Sequence, residues 1–195
     1  MGNVSERRKQ PPQVGVSVVI LALGPVPQSD VGAGAASSGM GSTLWMPLVK
    51  RVRQPFLGQW ALPGGGLRAD HSLEQSAYAA LESTTSLHPK YLEQLYTFGD
   101  PARSHGGLPM VSIVYWALVG EADGRIDFAG GDNVKWFPVN HLPELAFDHR
   151  TIVEYAMNRL RGKIESPDIA TRLVGERFTL SQLHDVYEAI AGQRI

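Results

Sequence analysis

A glycine run that opens into an amphipathic helix does the most to limit how this chain folds. Pro63, Gly64, Gly65 and Gly66 permit a tight backbone path. After them, Leu73, Ala77, Leu81 and Thr84 or Thr85 recur at helical spacing. The spacing predicts a helix that starts at His71 or Ser72, runs to about Ser86 and buries that stripe. Ala80, Ser83 and Thr84 stand three or four residues apart and share a face of the same helix. None of the three is an anion at neutral pH. Magnesium takes oxygen ligands, mostly carboxylates and substrate phosphates, so that face is a poor seat for it. Glu82 lies about 100° round the helix from Ser83 and does not join it. Glu74 and Glu82 read as a solvated helix face, and His71 as a surface histidine with no second ligand at zinc-like spacing.

Elsewhere, strand and helix signals mix without βαβ regularity, which indicates an α+β fold with a mixed sheet between helices. Residues 14–23 are rich in valine and suit a buried strand. Residues 24–42 are heavy in Gly, Ser, Ala and Pro and read as a long hairpin loop. Strands are expected over 44–51, 91–98, 110–119 and 134–139, with a polar turn region over 121–133. Asp148 reads as the N-cap of a helix to about Arg161, with Ile152, Val153, Ala156, Met157 and Leu160 facing in. Residues 1–13 read as a disordered arm carrying Arg7, Arg8 and Lys9, followed by a domain over 14–162.

Residues 163–195 are expected to stand outside that domain. Within them, 170–174 reads as a short strand. Thr179 with Gln182 forms the start of a capped helix, stapled by Phe178 against Leu183. Leu183, Val186, Tyr187 and Ile190 make its apolar stripe, and Gly192 is its stop.

Composition removes several classes of function. The 18 Lys+Arg against 19 Asp+Glu leave no global basic field. With no cysteines there is no disulfide framework and no thiolate metal site. No apolar run has the length of a membrane span, and the first residues lack the apolar core of a signal peptide. Nothing in the sequence directs the chain out of the cytoplasm.

The segment 65–87 resembles the Nudix box, Gly-x5-Glu-x7-Arg-Glu-U-x-Glu-Glu-x-Gly-U, where U is aliphatic. Aligned on Gly65, it has His71 at the first Glu, Ala79 and Ala80 at Arg-Glu, Ser83 and Thr84 at Glu-Glu, and Ser86 at the last Gly. Leu81 and Leu87 keep the aliphatic positions. From Val14 onward the chain is similar to the Nudix-related transcriptional regulators of NAD metabolism, the NrtR family. The resemblance rests on the segments beginning Trp60-Ala61-Leu62-Pro63, Tyr91-Leu92-Glu93-Gln94, Ala146-Phe147-Asp148-His149 and Phe178-Thr179-Leu180.

The resemblance implies a Nudix α/β/α sandwich that is non-catalytic and holds no metal or cofactor. It also implies a C-terminal winged helix that binds double-stranded operator DNA, a homodimer, and ADP-ribose or a related NAD-derived nucleotide as effector. On that reading residues 163–195 begin the winged helix, and the chain stops where its recognition helix and wing are expected. Effector contacts are expected from Arg51, Arg53, Gly64, Gly65, Gly66, Phe98 and Arg103. For DNA they are expected from Arg172, Arg177, Thr179, Ser181, Gln182 and Arg194. Two rivals remain open: a pyrophosphohydrolase using Glu144, Asp148 or Glu154, and a pseudoenzyme that binds a protein partner.

Overall fold

Strand β1 (Gln13–Pro25) is apolar on both sides because helices cover both sides of the sheet. Val18, Ile20 and Ala22 belong to one core cluster, and Val19 and Leu21 to the other. Side chains alternate across a strand, so a nearly unbroken valine-rich run is what a doubly covered central strand requires. The computed structural model describes residues 11–27, 42–104, 108–164, 166–174 and 179–192.

The sheet is mixed. Its main path runs β3 (Trp60–Ala61), β2 (Ser42–Lys50), β1, β6 (Met110–Val119), β5 (Leu92–Phe98), with β4 (Gly64–Gly66) also on β1 and β7 (Val134–Pro138) also on β2. The β1–β6 pair is parallel, from Gln13↔Met110 to Ala22↔Val119. The other ladders are antiparallel. The expected loop begins late: Gly24 and Pro25 still pair with Thr43 and Ser42, so β1 continues into it. Most of that loop and of the N-terminal arm lies outside the described residues.

Helix α1 (Leu73–Thr85) covers one face of the sheet through Ala77 and Leu81, both fully buried. Ser72 caps it, accepting from Gln75 N at 3.1 Å, while Gln75 Oε1 accepts from Ser72 N at 2.8 Å. This reciprocal box satisfies two amide donors that a helix start otherwise leaves open. Ser86, left-handed at φ 56°, ends the helix.

The other face is covered by α2 (His149–Gly162), α3 (Pro167–Val174) and α4 (Leu180–Ala191). The five inward residues expected on α2 are all buried. Two expectations for the C-terminal segment need correction. Residues 170–174 are helical, because Ile169 and Leu173, one turn apart, fill the same core. Nor does the segment stand apart: Ile169, Leu173, Val186 and Ile190 lie in one cluster with Leu44, Met46 and Leu48 of β2. The α4 stripe finds its partner on the sheet. Its cap is as read, with Gln182 N donating to Thr179 Oγ1 at 3.2 Å and Gly192 left-handed at the other end. Phe178 lies outside the described residues.

Gly64 is a glycine the fold cannot replace. Its φ is +155°, and a Cβ there would sit 2.3 Å from the carbonyl oxygen of Val16 on the neighbouring strand. A Cβ at Gly65 or Gly66 would meet nothing. Gly64→Ala is expected to destabilise the fold by about 2–4 kcal/mol and Gly65→Ala by under about 1 kcal/mol. Thermal unfolding of the two variants side by side checks the difference.

Candidate functional site

The corner before α2 joins four pieces of the chain. Ala146 N donates to Trp60 O at 2.8 Å, which fastens the corner to β3. Phe147 follows with φ 55°, a left-handed conformation that is an outlier for a bulky residue. Its ring meets Phe56 edge-on at 4.8 Å, and the Arg51 guanidinium sits 4.6 Å from its centroid. Strain of this kind persists only where surrounding contacts over-determine it. Here the ring contacts with Phe56 and Arg51 and the Ala146–Trp60 hydrogen bond supply the constraint.

Asp148 stands at the N-cap of α2 but does not cap it. Its carboxylate turns to Arg103, accepting from Nε at 2.5 Å and from one terminal nitrogen at 3.0 Å. The same guanidinium donates to Phe98 O at 2.6 Å and to Ser112 Oγ at 3.0 Å. The Arg103 side chain is only 7% exposed, and that of Asp148 is 26%. Burial opposes ionisation of Asp148 most strongly, but the hydrogen bonds and charge of Arg103, with smaller help from a backbone hydrogen bond and His149, together hold the carboxyl below its ordinary value. The sequence reading of Asp148 as a plain helix cap is thereby corrected. Charge pairing across 45 residues overrides the local cap because a bidentate Arg–carboxylate pair is the stronger interaction.

His149 turns the opposite way. Its Nδ1 accepts from Leu62 N at 3.0 Å inside the core. Burial pushes its pKa down to about 4, helped by smaller lowering effects of Arg103 and Arg51 and opposed by a smaller raising pull from Asp148. The ring is therefore neutral, with its proton on Nε2, because Nδ1 must remain an acceptor for the Leu62 amide.

Around this corner lies a cleft of about 620 Å3, walled by Tyr96, Phe98, Gly99 and Arg103 on one side and Phe147, Asp148 and Thr151 on the other. Of the residues nominated from sequence, Phe98 and Arg103 line it, and Arg51 reaches it through Phe147. Arg51 also donates to the carbonyls of Pro55 at 2.8 Å and Arg53 at 3.4 Å, so it braces the loop on which exposed Arg53 sits. Gly64, Gly65 and Gly66 form β4, in register with Ser17, Val16 and Gly15. Phe147 was missed. The signal for it was weak, since a left-handed phenylalanine has no mark in the sequence.

On α1, Ser83 Oγ and Thr84 Oγ1 both donate to Ala80 O, at 3.1 and 2.7 Å. The hydroxyls at the paired box positions turn back onto their own helix. Among the described residues no group of three or more His, Cys, Asp or Glu converges to hold a metal. His71 Nδ1 lies 3.0 Å from Asp70 Oδ1.

The described residues among the nominated DNA contacts lie at the other end of the fold. Arg172 is exposed, with its guanidinium 3.9 Å from the Tyr91 centroid. Thr179 and Gln182 are engaged in the α4 cap, and Ser181 is exposed. Arg177 and Arg194 lie outside the described residues.

An α/β/α sandwich with a glycine-led helix on one face and a ligand-sized cleft at the far end of the sheet is the architecture of Nudix proteins. The NUDIX domain profile matches residues 32–156, and the chain belongs to that family. Within it, the likeness is to the NrtR group. The chain is 30% identical over 152 residues to the "ADPR responsive transcriptional repressor NtrR" of Acinetobacter baylyi, across 76% of this chain and 60% of that protein. It thus spans about three fifths of that relative's length. It is also 33% identical over 118 residues to the "ADP-ribose pyrophosphatase" of Methanocaldococcus jannaschii, across 59% of this chain and 67% of that one. The crystal structure of Shewanella oneidensis NrtR with a 27mer DNA superposes with TM-score 0.74 at 33% identity, covering 93% of this chain and 77% of that one. The NUDIX domain of the same protein, complexed with ADP ribose, gives TM-score 0.57 at 32% identity, covering 81% and 94%.

The neutral, buried His149 makes a pH signature. Its folded pKa lies below the ordinary 6.5, so the unfolded chain binds the extra proton. This contribution is complete above pH 6.5 and is lost as the pH falls towards 4. Up to roughly 3 kcal/mol goes with it. Denaturant unfolding from pH 7 to 4.5 should show that loss. In His149→Gln, which keeps an acceptor for Leu62 N but does not titrate, the slope over this window should flatten.

Proposed function

We propose that this chain is the sensing part of a transcriptional repressor, in which a non-catalytic Nudix domain binds ADP-ribose or a related NAD-derived nucleotide. The observation that carries the reading is the α1 face. Where hydrolysis needs anions, Ala80 is apolar and the Ser83 and Thr84 hydroxyls are tied to a helix carbonyl. A domain that cannot gather divalent cations there binds pyrophosphate without cutting it. The likeness to NrtR proteins, one named as ADPR-responsive and one crystallised with DNA, supports the same reading.

In this proposal the nucleotide lies along the Phe98–Phe147 cleft. Its pyrophosphate faces Arg51, Arg53 and the 64–66 backbone, where guanidinium and amide donors suit phosphate oxygens. Nucleotide binding sets the affinity of a homodimer for double-stranded operator DNA at genes of NAD metabolism, in the cytoplasm. Ser181, with the caps at Thr179 and Gln182, presents one helix start to the DNA backbone. Arg172, Arg177 and Arg194 add charge.

A second reading draws on the M. jannaschii relative: an ADP-ribose pyrophosphatase using Glu144, Asp148 or Glu154. Asp148 is held by Arg103, and Glu144 and Glu154 are exposed on or before α2, so none of the three carboxylates lies on the box helix.

Calorimetry with ADP-ribose, alone and with magnesium, separates the two. The sensor binds with no magnesium requirement and releases no AMP, and Arg51→Ala weakens binding roughly ten-fold, the worth of one charge-assisted contact. Mobility shifts on an operator-length duplex at stated salt should respond to ADP-ribose. Magnesium-dependent AMP release that disappears in Asp148→Asn would establish the hydrolase instead.

A further inference from the structure

The cleft beside α2 offers an incoming ligand a carboxylate, hydroxyls and aromatic rings, but no free guanidinium. Arg103 has four of its five N–H donors engaged, two by Asp148, one by Phe98 O and one by Ser112 Oγ, and is almost wholly enclosed. Asp148 is more open than its partner, and a carboxylate has about four lone-pair sites, of which Arg103 occupies two. Asp100, exposed on the same wall, adds a second negative charge, so the two aspartates outnumber Arg103. Thr97 and Thr151 are exposed beside it, and Tyr96, Phe98 and Phe147 give ring surface. A wall of this kind repels phosphate. It suits a neutral, planar, hydroxyl-bearing group.

Resting on the nucleotide-sensing reading above, we propose that this cleft takes the nucleoside end of the ligand, with the open side of the Asp148 carboxylate accepting from the ribose vicinal diol. Arg103, expected from the resemblance as an effector contact, is instead a positioning residue that holds Asp148 towards the cleft. The base lies against the Phe98 and Phe147 rings, which directs the pyrophosphate away from the aspartates and towards Arg51. A carboxylate is the natural acceptor for two adjacent hydroxyls, and its charge strengthens each bond. The strained backbone of Phe147 fits this use, because its ring lines the cleft while lying against the Arg51 guanidinium.

The test compares ADP-ribose with its analogue lacking the adenosine 2′-hydroxyl, by calorimetry on the full chain. The unmodified protein should bind the analogue roughly ten-fold more weakly, the loss of one hydrogen bond to a charged acceptor. In Asp148→Asn, and in Arg103→Lys, which keeps the charge but loses the fork, that ratio should shrink to about two-fold or less. A merely structural role for Arg103 would weaken both ligands alike and leave the ratio at its original value. Equal binding of the two ligands by the unmodified protein overturns the inference while the sensor reading stands, and needs no variant to fold. A ratio preserved in both variants overturns it too. Binding of neither ligand removes the sensor reading as well.

Discussion

Two consecutive side chains pulling in opposite directions hold this fold to its cleft. Asp148 reaches outward to Arg103, and His149 reaches inward to the Leu62 amide. The first bond ties α2 to the turn after β5. The second ties it to the segment leading into β4 and the box helix. Removing one partner of the Arg103 pair would leave a charge enclosed without compensation, which is the costly way to break an ion pair. The His149 bond depends on a neutral ring and thus on burial. The corner is stable only while it is dry on one side and paired on the other.

On the proposed sensor reading, this arrangement separates two roles that a Nudix enzyme combines. In a hydrolase the box helix gathers cations and the cleft presents the substrate to them. Here the helix keeps its packing residues, Ala77 and Leu81 at zero exposure, while its outer face keeps hydroxyls bonded to Ala80 O. The cleft remains, with its rings and its charged corner. Binding without turnover asks no more than that.

Helices α3 and α4 are built into the body of the fold. Their apolar residues share one core with β2 and α2. Lys163, at the end of α2, pairs with Glu93 of β5 at 3.3 Å, and Arg172 of α3 lies on Tyr91 at the start of that strand. Strand β5 runs from this junction to Phe98 in the cleft. One strand therefore connects the Phe98–Phe147 cleft to the end of α2 and to α3.

The sequence by itself determined the elements whose signals are local. The valine-rich run over 14–23 suited a buried strand, Thr179–Gln182 set a helix start, and the box helix declared its inner stripe and its missing carboxylates. Hydrogen bonds and periodicities that span a few residues are written in the order of the chain. The tertiary structure alone decided what depends on distant partners. It made 170–174 a helix, because Ile169 and Leu173 had a core to enter. It drew α4 onto β2, and it turned Asp148 from a cap into the partner of Arg103. It also brought Phe147 between Arg51 and the cleft in a backbone conformation that its own side chain disfavours. Those outcomes follow from charges and surfaces that meet only once the sheet has formed, so no local pattern could announce them.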